Sequence, residues 1–327
     1  MVTVLCANAG MDKTYEVEGF ALGAFHHPRR VQTSPGGKGI NVARILRLFG
    51  QEVAVTGFAG GSVGQYVVAS LRQSRITPSF VKIEEDSRLC INIVDSRGKT
   101  QTRLDEVGPL VTPSEVQMLR HVWERLLERS EMMIISGSAP RGVPFDLYAE
   151  LILSARKRRV PVILDAHDEM LAYGVQAVPT MIKPNLAELG VLMESELAVP
   201  DGVLAACRSL VATGIETVFC SLGARGAIVA SATEGEWQAD APTVQVVSTV
   251  GCGDATVAAY AAASLRGLSL PERIRWAVAA GAVCAVTFGP VMGNPKDVAR
   301  MVSNVVLRRL DEAAPGSETS PELPESP

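Results

Sequence analysis

Thr249-Val-Gly-Cys-Gly-Asp254-Ala-Thr-Val-Ala-Ala-Tyr-Ala-Ala-Ala263 joins an apolar approach, a Gly-x-Gly turn and an alanine-rich helix. The apolar approach begins at Val244. Gly251 and Gly253 let the backbone turn tightly and leave its N–H groups uncovered. Those N–H groups and the positive end of the helix dipole make a place for an anion. Asp254 is itself an anion, yet it stands in the first turn. One reading is proton abstraction while a second, transient anion passes through the site during phosphoryl transfer. The other is an N-terminal cap on an ordinary helix. The segment alone leaves both open.

The pattern around this turn sets the fold class. Short apolar or β-branched runs predict strands at Val2–Ala7, Val53–Phe58, Met132–Ser136, Val160–Asp165, Met181–Lys183, Thr217–Ser221 and Ala227–Ala230. Helical spacing falls between them, at Ile40–Leu48, Gly64–Ser74, Ser114–Arg129, Pro144–Lys157, Asn185–Leu192 and Asp201–Thr213. Two more helices, Asp254–Arg266 and Leu270–Val286, follow the turn. Such βαβ alternation predicts an α/β fold, a mostly parallel sheet covered by helices on both faces. Two stretches break the alternation, Thr14–Thr33 and Phe80–Leu104, within segments at about 13–34 and 80–107. Their polar, strand-like residues predict a small antiparallel sheet set apart as a lid, against the alternative of two surface loops.

Bulk composition narrows the function classes. The chain has 327 residues, 47% hydrophobic, enough for a full core without staples. A net charge of −4 gives no support for nucleic-acid or anionic-membrane binding. Six scattered cysteines without a Cys-x-x-Cys pair predict thiols in a reducing cytoplasm, not disulfides or zinc. The four histidines, at 26, 27, 121 and 167, have no ligand spacing. The N-terminus reads as a first strand rather than a signal peptide, and no stretch predicts a membrane span. Asp311–Pro327, rich in Pro, Glu and Ser, predicts a disordered tail.

Ser34-Pro-Gly-Gly-Lys-Gly-Ile-Asn41 is a second glycine-rich turn opening a helix. Gly36, Gly37 and Gly39 admit a ligand close to backbone, and Lys38 and Asn41 add a charge and an amide. It is not a Walker A loop. In Lys183-Pro-Asn185-Leu-Ala-Glu188-Leu, Asn185 and Glu188 share one helical face. They suit either Mg²⁺ beside phosphates or a capping box, and alone the cap is the better reading. Ser221-Leu-Gly-Ala-Arg-Gly226 reads as a turn between strands, near a nucleotide or simply a hairpin. Ser136-Gly-Ser138 ends a strand, the usual place for ligand contacts in open α/β sheets.

Together these motifs resemble the ribokinase-like superfamily. More closely, they resemble the phosphofructokinase B family of sugar kinases, in its 1-phosphofructokinase and tagatose-6-phosphate kinase branch. The matching pieces run in order from residue 1 to about 290. They are Asn8-Ala-Gly-Met-Asp12, Gly36-Gly-Lys-Gly-Ile-Asn41, Gly57-Phe-Ala-Gly-Gly61, Ser136-Gly-Ser-Ala-Pro140, Lys183 to Leu189, Ser221 to Gly226 and Gly251-Cys-Gly-Asp254.

The resemblance implies a three-layer α/β/α domain over 1–310 with a small β-sheet lid, dimeric through that lid. It implies ATP-dependent phosphorylation of a ketohexose phosphate to the bisphosphate. Asp254 would be the general base, with Gly251, Cys252 and Gly253 offering N–H groups to the transferring phosphoryl. Asp12, Gly36, Gly37, Asn41 and Ser138 would hold the sugar, and Lys38 and Arg88 the phosphate already on it. Lys183, Asn185 and Glu188 would organise Mg²⁺ and the triphosphate. Ser221, Gly223, Gly226 and Gly281 would line the ATP site.

Three departures stand out. Ala9 replaces the usual proline of the first motif. Cys252 replaces the usual alanine between the two glycines, as a reactive thiolate or a silent thiol. The family's Thr-Glu-x-Asn segment reads Thr102-Arg103-Leu-Asp105, a base where an acid is usual. Arg29 and Arg30 are either further phosphate contacts or a solvated basic loop. The competing functions are a kinase for an unphosphorylated sugar or nucleoside, and a non-catalytic sugar-phosphate-binding protein.

Overall fold

The computed structural model describes residues 1–287, 289 and 294–310. Its first strand, β1 (Val2–Asn8), is buried along its whole length, as a nearly continuous apolar run requires. The chain then forms β2 (Gly10–Val17), β3 (Arg30–Gly36), α1 (Lys38–Leu48), β4 (Val53–Gly60) and α2 (Gly61–Gln73). Two short strands follow, β5 (Thr77–Pro78) and β6 (Val81–Ile83), and then β7 (Arg88–Asp95) and β8 (Thr100–Asp105). From α3 (Pro113–Leu127) strands and helices alternate: β9 (Met132–Ser136), α4 (Leu147–Lys157), β10 (Val162–Asp165), α5 (Asp168–Gln176) and β11 (Met181–Ile182). Next come α6 (Leu186–Leu192), α7 (Asp201–Ala212), β12 (Thr217–Ser221), β13 (Ala227–Ser231) and β14 (Gly235–Asp240). The last elements are α8 (Cys252–Leu265), α9 (Leu270–Ala285), α10 (Pro295–Met301) and β15 (Val306–Arg309).

Among the described residues the main sheet runs β15-β14-β13-β12-β11-β10-β9-β1-β4-β5, with β6 also on β4. The strands from β4 through β1 to β12 pair in parallel, and β13 to β15 form an antiparallel margin. Successive β1 side chains point to opposite faces. Val4 and Cys6 join a core with α1, α8 and α9, while Leu5 and Ala7 join one with α3, α4 and α7. This makes three layers. Helix α8 is buried from Asp254 to Ala263 between α1 and α9. An alanine-rich helix without a polar face belongs in such an interior.

The second sheet runs β3-β2-β7-β8. Its outer pairs are antiparallel, but β2 and β7 pair in parallel from Gly10↔Arg88 to Val17↔Asp95, correcting the all-antiparallel expectation. The reason lies in the main sheet. β1 and β6 both run parallel to β4, so β2 and β7 both emerge at its C-terminal edge and travel together. Asp95 ties the far end of this sheet, accepting hydrogen bonds from the Gly19 and Phe20 N–H groups at 2.8 Å each.

Element ends differ from the sequence expectations by a few residues. β10 begins after Pro161, and the expected helix from Pro144 begins at Leu147, after a turn in which Leu147 N–H donates to the Pro144 carbonyl. The short α5 and α10, the polar strand β14 and the edge strand β15 carry patterns too weak to have been expected. The expected tail, Asp311–Pro327, lies outside the described residues.

Candidate active site

The C-terminal ends of β1, β9, β10, β11 and β12 bring Asn8, Ser136, Asp165, Lys183 and Ser221 to one edge of the parallel sheet. That edge is where open α/β sheets bind ligands. Asp165, which sequence reading missed, organises it. Its side chain is fully buried, with Oδ1 3.1 Å from Lys183 Nζ and 3.7 Å from Lys38 Nζ. Ser136 Oγ donates to Asp165 Oδ2 at 3.2 Å. Burial alone would raise the Asp165 pKa; Lys183 and Lys38 reverse this and hold it below the usual carboxylate range. Lys38 shifts upward, mainly through Asp165 against burial, and also through Asp254 and Glu188. Three carboxylates and two ammonium groups therefore share one field.

Asp254 enters this field from the first turn of α8. Gly251 caps that helix with φ 85°, a left-handed conformation in which a side chain would be strained. The Ala255 N–H closes the first helical bond to the Gly251 carbonyl at 2.8 Å, which aims the preceding N–H groups outward from the helix end. The Cys252 N–H makes only a long contact, 3.4 Å, with the Thr249 carbonyl. Lys183 Nζ lies beside Gly253, 3.5 Å from where a Cβ would stand. Asp254 is 4% exposed and accepts a hydrogen bond from Asn41 Nδ2 at 2.8 Å. Burial first, and then the charge of Asp165, push its pKa up to about 6, against Asn41 and the two lysines. Asn41, expected to hold the sugar, thus also orients the carboxylate. Its buried Oδ1 has no hydrogen-bond partner among the described residues.

The glycine turn before α1 brings Gly36 and Gly37 against the small sheet and β1. A Cβ at Gly36 would lie 2.4 Å from the Asp12 carboxylate, and one at Gly37 2.7 Å from Cys6 Sγ. Asp12 is pushed up by burial, against Arg103 and Arg88. Arg88 Nε donates to the Asn8 carbonyl at 3.1 Å, and Asn8 Nδ2 contacts the Val107 carbonyl and Ser138 Oγ at 3.0 and 3.4 Å. Arg103 pairs with Asp105 at 2.9 Å. Asp12, Asn92, Arg103 and Asp105 line a cleft whose other wall is Val247, Ser248 and Val250, just before Gly251. The cleft links the small sheet to the helix that carries Asp254. Gly36→Ala is expected to displace Asp12 and lower kcat/KM about 10²-fold with little change in Tm, as steady-state kinetics and a melting curve will show.

The remaining expected residues gather on the β11–β12 side. Asn185 and Glu188 form a capping box at α6: Glu188 N–H donates to Asn185 Oδ1 at 2.9 Å and Asn185 N–H to Glu188 Oε2 at 2.8 Å. The cap therefore exists, and one carboxylate oxygen remains outside it. Ser221 N–H donates to the Pro184 carbonyl at 2.9 Å, joining this turn to the next. There Leu222 N–H bonds the Gly226 carbonyl at 2.8 Å, and Gly223 stands in open space. Gly281 packs α9 on α8, its Cβ position 3.0 Å from Thr256 Oγ1. This packing is a structural use for that glycine.

A family model described as pfkB family carbohydrate kinase matches residues 6–297. The chain belongs to the pfkB carbohydrate kinase family. It is 32% identical over 291 residues to a tagatose-6-phosphate kinase of Staphylococcus epidermidis, covering 88% of this chain and 92% of that one. Phosphofructokinase-2 of Escherichia coli, solved with potassium, superposes with a TM-score of 0.86 at 27% identity, covering 92% of this chain and 98% of that one. A possible 1-phosphofructokinase of Thermotoga maritima also reaches 0.86 at 27% identity, covering 95% and 100%. The fold is ribokinase-like, and the chain is a carbohydrate kinase. No helix among the described residues is long and apolar enough to cross a membrane.

Proposed function

We propose that this pfkB kinase transfers the γ-phosphoryl of ATP to a primary hydroxyl of a ketohexose phosphate, with Asp254 as general base. One observation carries the reading. A buried aspartate with its pKa raised to about 6 sits at a helix N-terminus, oriented by Asn41, and the segment leading into that helix walls a cleft that holds Arg103. A base tuned toward neutrality takes a hydroxyl proton far better than an exposed aspartate. Asn41 Oδ1 and the Asp12 carboxylate accept from sugar hydroxyls. Arg88 and Arg103, grouped with Asp12, take the phosphate the sugar already carries, as paired guanidinium groups suit. Lys38, expected beside Arg88 on the sugar's own phosphate, is held among Asp165, Asp254 and Glu188, and we assign it instead to the transferring phosphoryl together with the N–H groups of Gly251 to Gly253.

The nucleotide lies along Ser221, Gly223 and Gly226, with Gly281 on the helix behind it and Lys183 and Asn185 toward its phosphates. Among the described residues no three His, Cys, Asp or Glu side chains form a metal cluster. Mg²⁺ in phosphotransferases takes one or two carboxylates and completes its shell with phosphates and water, and Glu188 fits that requirement. When bound, the ion neutralises charge on the triphosphate. The small sheet acts as the lid over the cleft. Two copies pair through it, which would cover Leu22 and Phe25 in its connecting loop, 95% and 101% exposed. The enzyme works in the cytoplasm on small molecules, without nucleic acid or membrane.

The proton abstraction is read by a pH profile. Asp254 is competent only when ionised, so kcat/KM for the phosphosugar rises with pH to about 6 and then levels. A profile flat from pH 5 to pH 8 contradicts the base.

A further inference from the structure

Two thiols meet behind the turn that precedes Asp254. Cys252 is the first residue of α8, where N–H groups and the helix dipole favour an anion. Cys284 lies in the last turn of α9, three residues beyond Gly281, whose Cβ position is 3.6 Å from the Cys252 carbonyl. Residues three apart share a helix face, so Cys284 faces the same way, toward the first turn of α8. Cys284 Sγ also lies 3.7 Å from the Val250 carbonyl, and Cys252 Sγ lies 3.8 Å from the Ser248 carbonyl. The Cys284 contact pulls the Cys252 pKa down, against burial and the charge of Asp254, while Cys284 is pushed up by the same contact and by burial. Burial raises the Cys6, Cys90, Cys207 and Cys220 thiols. Cys252 is also half-buried where those four are buried.

We propose that Cys252 is an oxidation site for hydroperoxides and that Cys284 resolves it as a disulfide that switches the enzyme off. The Cys252 thiolate attacks the near oxygen of hydrogen peroxide; the O–O bond breaks, hydroxide leaves, and a sulfenic acid forms. Cys284 sulfur then attacks Cys252 sulfur; the S–O bond breaks, and the oxygen leaves as water with the Cys284 proton. Two thiols are oxidised and one peroxide is reduced to two waters. A disulfide holds its sulfurs about 2 Å apart, far closer than two unbonded thiols can approach. Closing it draws Cys252 toward α9 and pulls the Gly251–Gly253 N–H groups out of register with Asp254. Substrate identity plays no part in this chemistry.

The test treats the full chain with hydrogen peroxide at pH 7, alkylates the remaining thiols and digests with trypsin without reduction. The expected product is the peptide Gly226–Arg266 linked to Trp276–Lys296, each holding one cysteine. It forms in step with a loss of phosphoryl transfer of about tenfold or more, and a dithiol reverses both. Cys284→Ser and Cys284→Ala keep basal activity, form no link, and accumulate a Cys252 that dimedone traps. Absence of the linked peptide while Cys252 stays alkylatable overturns the site. A linked peptide with undiminished activity overturns the switch. The linkage is read by mass, so a wrong substrate assignment leaves that readout intact.

Discussion

Asp254→Asn is expected to lower kcat by about 10²–10⁴ while making the protein more stable at neutral pH. Both effects come from the same burial. The carboxylate is 4% exposed, and burial raises its pKa to about 6 from the ordinary 3.8 of an aspartate. The folded state therefore holds a proton that the unfolded chain releases. Below pH 3.8 both states are protonated and the group contributes nothing. Between that pH and about 6 the penalty grows, and above it the folded protein carries the full cost of a buried charge, of order 1–3 kcal/mol. Asparagine removes the charge and can still accept from Asn41 Nδ2. The variant should melt about 2–6 °C higher than the parent at pH 7, with the gap closing toward pH 4, as calorimetry at a series of pH values will show. A variant that keeps full turnover, or melts lower at pH 7, contradicts the assignment.

Asp165→Asn is expected to have the largest effect on stability, although nothing in the proposed chemistry requires Asp165 to touch the substrate. Its carboxylate sits between Lys183 and Lys38, at 3.1 and 3.7 Å, and Lys183 has a side chain only 5% exposed. Neutralising the carboxylate leaves a buried ammonium without its partner. Breaking one side of such a pair costs about 3–5 kcal/mol. Urea unfolding measures this directly, and a loss below about 1 kcal/mol would show that Lys183 finds another partner. Asp165 also raises the Asp254 pKa, so its removal, with two lysines left uncompensated nearby, lowers that pKa. The rising limb of the pH profile should move below 6. An unchanged limb would mean that burial alone tunes the base.

The parallel sheet was legible because its strands are nearly continuous apolar runs separated by helical spacing, a local signal repeated many times. The candidate site was legible wherever a glycine turn announced it, as at Gly36–Asn41 and Gly251–Asp254, which the fold brings together through the Asn41–Asp254 hydrogen bond. What escaped were pairings between distant segments. Asn41 and Asp254 are 213 residues apart and share a hydrogen bond that no local pattern reveals. Asp165 ends the four-residue strand Val162–Asp165, and its place at a strand C-terminus was a usable signal; its two lysine partners come from other segments. The parallel β2–β7 pairing depends on where both strands leave the main sheet. α5 escaped because its nine residues follow His167, which makes no side-chain cap.

The most direct test of the account is ADP release with MgATP, offered fructose 1-phosphate, fructose 6-phosphate, tagatose 6-phosphate, fructose and ribose in turn. Arg88 and Arg103 beside Asp12 predict that one phosphosugar exceeds both free sugars by at least about 10²-fold in kcat/KM, the value of a charged contact made in the transition state. Turnover confined to a free sugar would contradict the phosphate role of those arginines, and turnover on none of the five would contradict the substrate class itself.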